Sequence, residues 1–237
     1  MKTTLHKAES RGHAKYDWLD TYYTFSFSNY YNPERIHFGA LRVLNDDYID
    51  GGMGFDMHPH DNMEVISIPL VGALAHKDSM HNEAVIGAGE IQVMSAGSGI
   101  LHSEYNSNKD LVFNGLQIWV FPKTKNTKPW YSQISIADVA KPDVLYQIIS
   151  PDPNDSGAWI GQDAWFHMGD LSEGWKGSYE LKKEGNGVYL FVIEGSVKVA
   201  GLTLNRRDGL GLSELDQFEL EAQSPAKVLI MEIPMSW

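Results

Sequence analysis

Short runs of apolar and β-branched residues that break on glycine set the rhythm of this chain, and few stretches repeat apolar residues at helical spacing. Residues 65–71, 90–94, 116–121, 188–193 and 228–233 read as strands. Between such runs fall Gly51-Gly52, Gly87-Ala88-Gly89, Gly97-Ser98-Gly99 and Gly185-Asn186-Gly187, where a tight backbone reversal is cheapest. Strands in this density, joined by turns, build barrels or sandwiches. The expected fold class is all-β.

A weak internal repeat refines that expectation. Val65-Ile-Ser-Ile-Pro-Leu-Val-Gly72 resembles Val188-Tyr-Leu-Phe-Val-Ile-Glu-Gly195, each an apolar strand closing on glycine. Downstream, Ala88-Gly89 to Ser95 has a rough counterpart in Asp208-Gly209 to Ser213. With 237 residues available, the halves read as two copies of one small barrel. Pro122, Pro129, Pro142, Pro151 and Pro153 lie between the copies, and Ser150-Pro-Asp-Pro-Asn-Asp-Ser-Gly157 is strong turn chemistry. The boundary is placed near 135–145, giving a first domain of residues 1–135 and a second of 145–237, with a short helix over 134–139.

Composition removes several function classes. A formal charge of −12, unbroken by any run of Lys or Arg, repels phosphate backbones, so no direct nucleic-acid partner is expected. With no cysteine, disulfides, thiolate metal sites and cysteine nucleophiles are excluded, and any metal must be held by His and carboxylates. Residues 1–20 lack the apolar core of a secretory signal, and no run approaches 18 apolar residues. The chain is expected in the cytoplasm, away from membranes.

Two short phrases carry chemistry. In His58-Pro59-His60 an extended backbone projects residues i and i+2 from one face, so both imidazoles can meet one ion. His102-Ser103-Glu104 repeats that spacing just past the Gly97-Ser98-Gly99 turn, and the two pairs complete a set of three imidazoles and one carboxylate. Such a set favours a borderline divalent transition metal. Pro59 has no N–H, which places its strand at a sheet edge, a bulge or a barrel mouth.

Other conspicuous residues take plainer readings. His6, His13, His37, His76, His81 and His167 have no partner at metal spacing and read as surface or hydrogen-bonded structural histidines. Asn45-Asp46-Asp47 reads as a solvated turn, since EF-hand spacing is absent. Trp119, Phe25, Phe27, Tyr30 and Tyr31 read as core formers, one or two of them lining a pocket for a flat aromatic ligand.

The order His58-x-His60-x-x-x-Glu64, an apolar strand to Gly72, then Gly97-x-Gly99-x-x-His102-x-x-x-Asn106 resembles the two cupin motifs. It departs from them in two places. Gly97 stands where a proline is usual, and seven rather than six residues separate Glu64 from Gly72. These departures, with Glu104, are similar to the pirin subfamily of cupins, as are Arg11-Gly12-His13, Thr24-Phe-Ser-Phe27, Phe55-x-x-His-Pro-His60, Met94-x-Ala-Gly-x-Gly-Ile-x-His-Ser-Glu104 and Gly115-Leu-Gln-Ile-Trp119. The likeness is close over about the first 125 residues, looser beyond, and strongest to pirin-like quercetin 2,3-dioxygenases.

The resemblance implies a bicupin of two consecutive β-barrels, with one divalent metal held by His58, His60, His102 and Glu104. It implies iron first, with Mn, Ni, Co, Cu and Zn admitted. Glu104 is assigned a second role as catalytic base. Glu64, a ligand in many other cupins, is assigned to orient a ligand or close a hydrogen-bond network beside the metal. The implied activity is dioxygenation of a flavonol such as quercetin with release of carbon monoxide, so a small aromatic substrate and O₂ are the expected partners. The alternative is a metal-containing, redox-responsive regulator acting through contacts with a protein partner; a third reading is a cupin isomerase or hydrolase. No metal is expected in the second copy: ungapped alignment puts Leu181 and Lys183 at the first histidine pair, and Leu220 and Ala222 opposite His102 and Glu104.

Overall fold

The computed structural model describes residues 1–236, and its helical content is two single 3-10 turns, Ala8–Ser10 and Ile136–Asp138. The first half holds β1 (Lys2–His6), β2 (Gly12–Lys15), β3 (Leu19–Tyr23), β4 (Leu41–Ile49), β5 (Gly54–His60), β6 (Glu64–Val71), β7 (Ala73–Asp78), β8 (Glu83–Gly87), β9 (Glu90–Ser95), β10 (Ile100–Asn106), β11 (Phe113–Val120) and β12 (Trp130–Ser135). The second holds β13 (Tyr146–Ser150), β14 (Ala158–Trp159), β15 (Trp165–Leu171), β16 (Lys176–Glu180), β17 (Asn186–Glu194), β18 (Ser196–Val199), β19 (Leu202–Asn205), β20 (Gly209–Ser213), β21 (Gln217–Ala222) and β22 (Ala226–Pro234).

Each half pairs a seven-stranded sheet with a four-stranded one. The first combines β12-β9-β6-β11-β4-β3-β2 with β5-β10-β7-β8, the second β1-β20-β17-β22-β15-β13-β14 with β16-β21-β18-β19. The all-β, two-barrel expectation therefore holds. One segment of the expected first domain is built elsewhere: β1 pairs with β20, Leu5 opposite Leu210, so residues 2–6 extend the second barrel. The short helix expected over 134–139 is the 3-10 turn Ile136–Asp138. No helix of the described residues is long and apolar enough to cross a membrane.

Strand alternation sorts side chains into three layers. The largest apolar cluster unites Ile66, Ile68, Leu116 and Ile118 of the first long sheet with Phe166, Tyr189, Phe191 and Leu229 of the second, so the two barrels pack through these sheets. On the other face of β17, Val188, Leu190 and Val192 join Leu212, Leu220, Ala222 and Ile230 to fill the second barrel. Leu220 and Ala222, the expected counterparts of His102 and Glu104, are thus core residues. Across from Leu220 stands Gly177, as His58 stands across from His102; the ungapped alignment on Leu181 is four residues out.

The first barrel spends its interior differently. Apolar side chains there form two small clusters, around Leu19 and Phe113 and around Val65 and Met94. Buried polar groups occupy the rest, among them Asn45, Asp47, Ser67, Gln92, His102 and Glu104. Six apolar side chains at such positions would stabilise the fold by on the order of 10 kcal/mol.

Asn45-Asp46-Asp47 corrects the sequence reading most sharply. All three are buried within β4, a central strand between β3 and β11, not in a solvated turn. Alternation sends Asn45 and Asp47 into the first barrel and Asp46 towards the second. Asp46 accepts hydrogen bonds from Arg207 Nε at 2.8 Å, Asn114 Nδ2 at 2.9 Å and Arg11 Nη1 at 3.4 Å. These partners lie far away in sequence, so a run of polar residues read locally points to solvent.

Candidate metal centre

Pro59 sits on β5, an edge strand of its sheet, where a missing N–H leaves no ladder bond unmade. In the β5–β10 register His102 lies opposite His58, and Ile100 opposite His60. The three imidazoles converge: ring centroids are 4.4 Å apart for His58 and His102, 4.8 Å for His60 and His102, and 4.9 Å for His58 and His60. One nitrogen from each lies within 4.8 Å of the others.

Their protonation suits ligation. His58 Nδ1 donates to the carbonyl of Asp56 at 2.7 Å, which leaves the Nε2 lone pair free. His60 Nε2 and both nitrogens of His102 are buried without a hydrogen-bond partner. Burial, reinforced by the neighbouring histidines, pushes His60 down to about 4 and His102 down to about 3, so both are neutral near pH 7. A buried nitrogen left unsatisfied costs about 1–3 kcal/mol. A divalent transition metal matches these donors and offsets that cost.

Glu104 stands slightly apart from the three histidines. The register slips between His102 and Glu104, and the carboxylate clusters with His102 and His76 rather than with His58 and His60. Its oxygens are held from two sides: Ser67 Oγ donates to Oε1 at 2.9 Å and Gln117 Nε2 to Oε2 at 2.8 Å. His102 is thus common to both clusters. Glu64 faces elsewhere, accepting from Ser95 Oγ at 2.6 Å and from the Gly161 N–H at 3.0 Å, a bond that joins the barrels. A Cβ on Gly161 would come within 2.9 Å of Glu64 Oε1, so a larger residue there would push the carboxylate aside.

Sequence reasoning passed over His76. It lies on β7, opposite Glu104 in register, with its ring centroid 5.4 Å from that of His102. Gln92 Nε2 donates to its Nδ1 at 3.0 Å, which leaves the proton on Nε2 to be donated to Asp78 at 3.2 Å. A signal was present: His76-Lys77-Asp78 repeats the i, i+2 spacing of His58-Pro59-His60 and His102-Ser103-Glu104. Gly97, where cupins usually carry proline, has φ +47°, and a Cβ there would lie 2.2 Å from the Thr127 carbonyl. Proline, fixed near −65°, cannot take that conformation.

The cluster opens into a cavity of about 600 Å³, a size suited to a small organic molecule. Trp18, Tyr23, Phe27, Phe55 and Trp119 form its walls, while Asn45, Asp47 and Gln117 adjoin His58, His60 and Glu104. Trp119 meets His60 edge-on at 4.8 Å and Phe27 at 5.2 Å. Of the other aromatics expected in the core, Phe25 is buried between the barrels, whereas Tyr31 is exposed. Burial pushes the Asp47 carboxyl up to about 7 against the lowering bond from Thr21, with Asp46 and Glu104 adding to the rise.

Residues 4–120 match the family model described as Pirin, and residues 147–233 the model described as Quercetinase C-terminal cupin domain. A protein named quercetin 2,3-dioxygenase from Escherichia coli (strain K12) is 37% identical over 230 residues, covering 97% of this chain and 98% of that one. A pirin-like protein of Caulobacter vibrioides is 36% identical over 222 residues, covering 93% of this chain and 95% of its own. The crystal structure of the bacterial pirin YhhW from Escherichia coli in complex with nickel(II) superposes with a TM-score of 0.92 at 36% identity, covering 98% of this chain and 99% of that one.

Proposed function

The chain belongs to the pirin family of cupins, and from that premise we propose that it is a metal-dependent dioxygenase that opens the heterocycle of a flavonol such as quercetin with O₂, releasing carbon monoxide. The observation that carries this reading is the convergence of three imidazoles, two of them neutral with buried unpartnered nitrogens, on an aromatic-walled cavity. His58, His60, His102 and Glu104 would hold the ion, iron being our assignment for the resident metal, in a first domain of residues 1–135. The second domain, 145–237, would hold none.

A divalent ion bound there supplies Lewis acidity that makes a flavonol hydroxyl easier to deprotonate. Glu104 accepts that proton; Ser67 and Gln117 fix its carboxylate so that it need not reorient as the proton moves. The deprotonated flavonol is electron-rich and reacts with O₂. Phe27, Phe55 and Trp119 hold the flat ring and keep water from it. Full-length identity to a protein named quercetin 2,3-dioxygenase and the nickel(II)-bound relative support the substrate and the metal class.

The test is to load the protein with Fe, Mn, Ni, Co or Cu, mix it with quercetin in air, and follow flavonol absorption together with carbon monoxide. Both should change, and His58→Ala should lose metal and turnover together. Glu104→Ala that keeps metal and loses turnover supports its role as base. Lys183→Ala, in the second barrel, should leave both intact. Absence of turnover with all five metals would overturn the dioxygenase in favour of the regulator that acts through protein contacts.

A further inference from the structure

Two carboxylates, Asp47 and Glu104, border the cavity beside the metal centre, and they are held differently. Glu104 has both oxygens taken by donors, Ser67 on Oε1 and Gln117 on Oε2, and is assigned to the ion as well. Asp47 has a donor on one oxygen alone: Thr21 Oγ1 donates to Oδ1 at 2.5 Å. Oδ2 has no partner among the described residues and, unlike Asn45 Oδ1 and Gln117 Oε1, it is not sealed from solvent. Asp47 is 7% exposed on a strand bonded along both edges, to β3 and to β11, so the opening is at its side chain. That side chain borders the main cavity on one side and, on the other, a gap of about 10 Å³, roughly the room one water needs. Glu104, Ser67 and Gln117 stand on the wall of the same gap.

These surroundings divide the handling of one proton. Glu104 can receive the flavonol proton where the hydroxyl meets the ion, but with two donors and a cation on its carboxylate it has no free oxygen on which to keep it. Asp47 has that oxygen. Burial already pushes its carboxyl up to about 7 against the lowering bond from Thr21, with Asp46, behind it on β4, and Glu104 adding to the rise. Two carboxyl groups in one cavity with surroundings this different take different acid and base roles.

We propose that Asp47 is the proton store of this site, a role that rests on the dioxygenase reading: it takes over the flavonol hydroxyl proton from Glu104 and keeps it while O₂ reacts. The hydroxyl O–H bond breaks with its electron pair left on the flavonol oxygen, and the proton passes from Glu104, across a water in the gap, to Asp47 Oδ2. Ring opening by O₂ turns the flavonol anion into a benzoate and carbon monoxide, and the proton leaves with the benzoate. Glu104 is ionised through that stage, so it stays available to the ion.

Zinc-loaded full-length protein is titrated under argon with 3-hydroxyflavone, whose one hydroxyl makes the proton count unambiguous, near pH 7.5 in two buffers of different ionisation enthalpy. Calorimetry gives the protons released to buffer, and the absorption spectrum shows whether the bound flavonol is the anion. The wild type should bind the anion and release less than about 0.3 proton per flavonol, with a protonated-carboxyl band appearing in the infrared difference spectrum. Asp47→Asn, which keeps an acceptor for Thr21, should retain metal and either release about one proton or leave the bound flavonol neutral. In the aerobic quercetin assay its kcat should fall about 10²-fold. A wild type that releases a full proton overturns the proposal without any variant, as does Asp47→Asn that binds the anion with no proton released, or 3-hydroxyflavone that does not bind at all. A proton retained by the wild type without quercetin turnover sinks the dioxygenase and leaves the store standing; turnover with a full proton released does the reverse.

Discussion

Asp46→Ala should be among the most destabilising substitutions in this chain, although Asp46 touches neither metal ligand nor cavity. Its side chain is 2% exposed and neutralises Arg207, itself 3% exposed, at 2.8 Å, with Arg11 beyond at 3.4 Å. Arg207 also donates to the Ile193 carbonyl and Asn114 Oδ1, so the guanidinium cannot swing out to water without breaking further bonds. Removing the carboxylate leaves two buried guanidiniums facing each other, with the half-exposed Glu194, 3.6 Å from Arg207, as the remaining acid. Breaking a buried pair in this way costs about 3–5 kcal/mol. At about 2–4 °C per kcal/mol for a chain this long, Tm should fall by roughly 6–20 °C. Thermal unfolding followed by circular dichroism measures it, with Lys2→Ala as reference: that pair, with Glu214, is 72% and 62% exposed and should shift Tm by less than roughly 2 °C. Adding Arg207→Met to Asp46→Ala should recover part of the loss, because it removes one stranded charge. A fall under about 2 °C, or a double variant no better than the single, would refute the idea that a buried ion cluster locks β4 against the second barrel.

Two further outcomes follow from buried titratable groups. Glu64→Ala leaves the Gly161 N–H and the Ser95 hydroxyl unpaired, so we expect a loss of about 2 kcal/mol with metal stoichiometry unchanged; metal analysis beside a thermal melt checks both, and loss of metal would return Glu64 to the metal's surroundings. His167, in the second barrel, is pushed down to about 4 by burial, with Lys182 adding to the fall. Below about pH 6.5 the unfolded chain takes up a proton that the folded chain refuses, so this contribution is full above pH 6.5 and is lost as pH falls towards 4. Its size is on the order of 2 kcal/mol, and His167→Asn should flatten the decline in stability between pH 7 and pH 4.5 by about that amount in urea titrations.

What the sequence disclosed and what it hid divide along a physical line. Glycine-bounded apolar runs are local, so the strands, the two-barrel plan and the His58, His60 and His102 convergence could be read from spacing alone. The opening face of each strand is also local, but what lies across from it is not. Asp46 and Asp47 looked solvent-bound because Thr21, Arg11, Asn114 and Arg207, which make their burial tolerable, come from four other segments. Glu64 was read through its motif, whereas its bond to Gly161 depends on the docking of two barrels. His76 was set aside for want of a histidine partner, although its carboxylate partner stood two residues away.

The same alternation that builds both barrels fills one with apolar side chains and leaves the other polar inside. On β17 both faces are apolar, Tyr189, Phe191 and Ile193 towards the partner barrel and Val188, Leu190 and Val192 inward, so every side chain adds to packing. On β4 and β11 the inward positions carry Asn45, Asp47 and Gln117 instead, and β10 carries His102 and Glu104. A barrel with such an interior is poorer in apolar burial than its neighbour. It is held in shape from outside, by the apolar face it shares with the filled barrel and by the Asp46 and Glu64 contacts at that junction. The second barrel, its interior filled with apolar side chains, supplies the rigid backing that lets the first keep a polar, partly hollow interior.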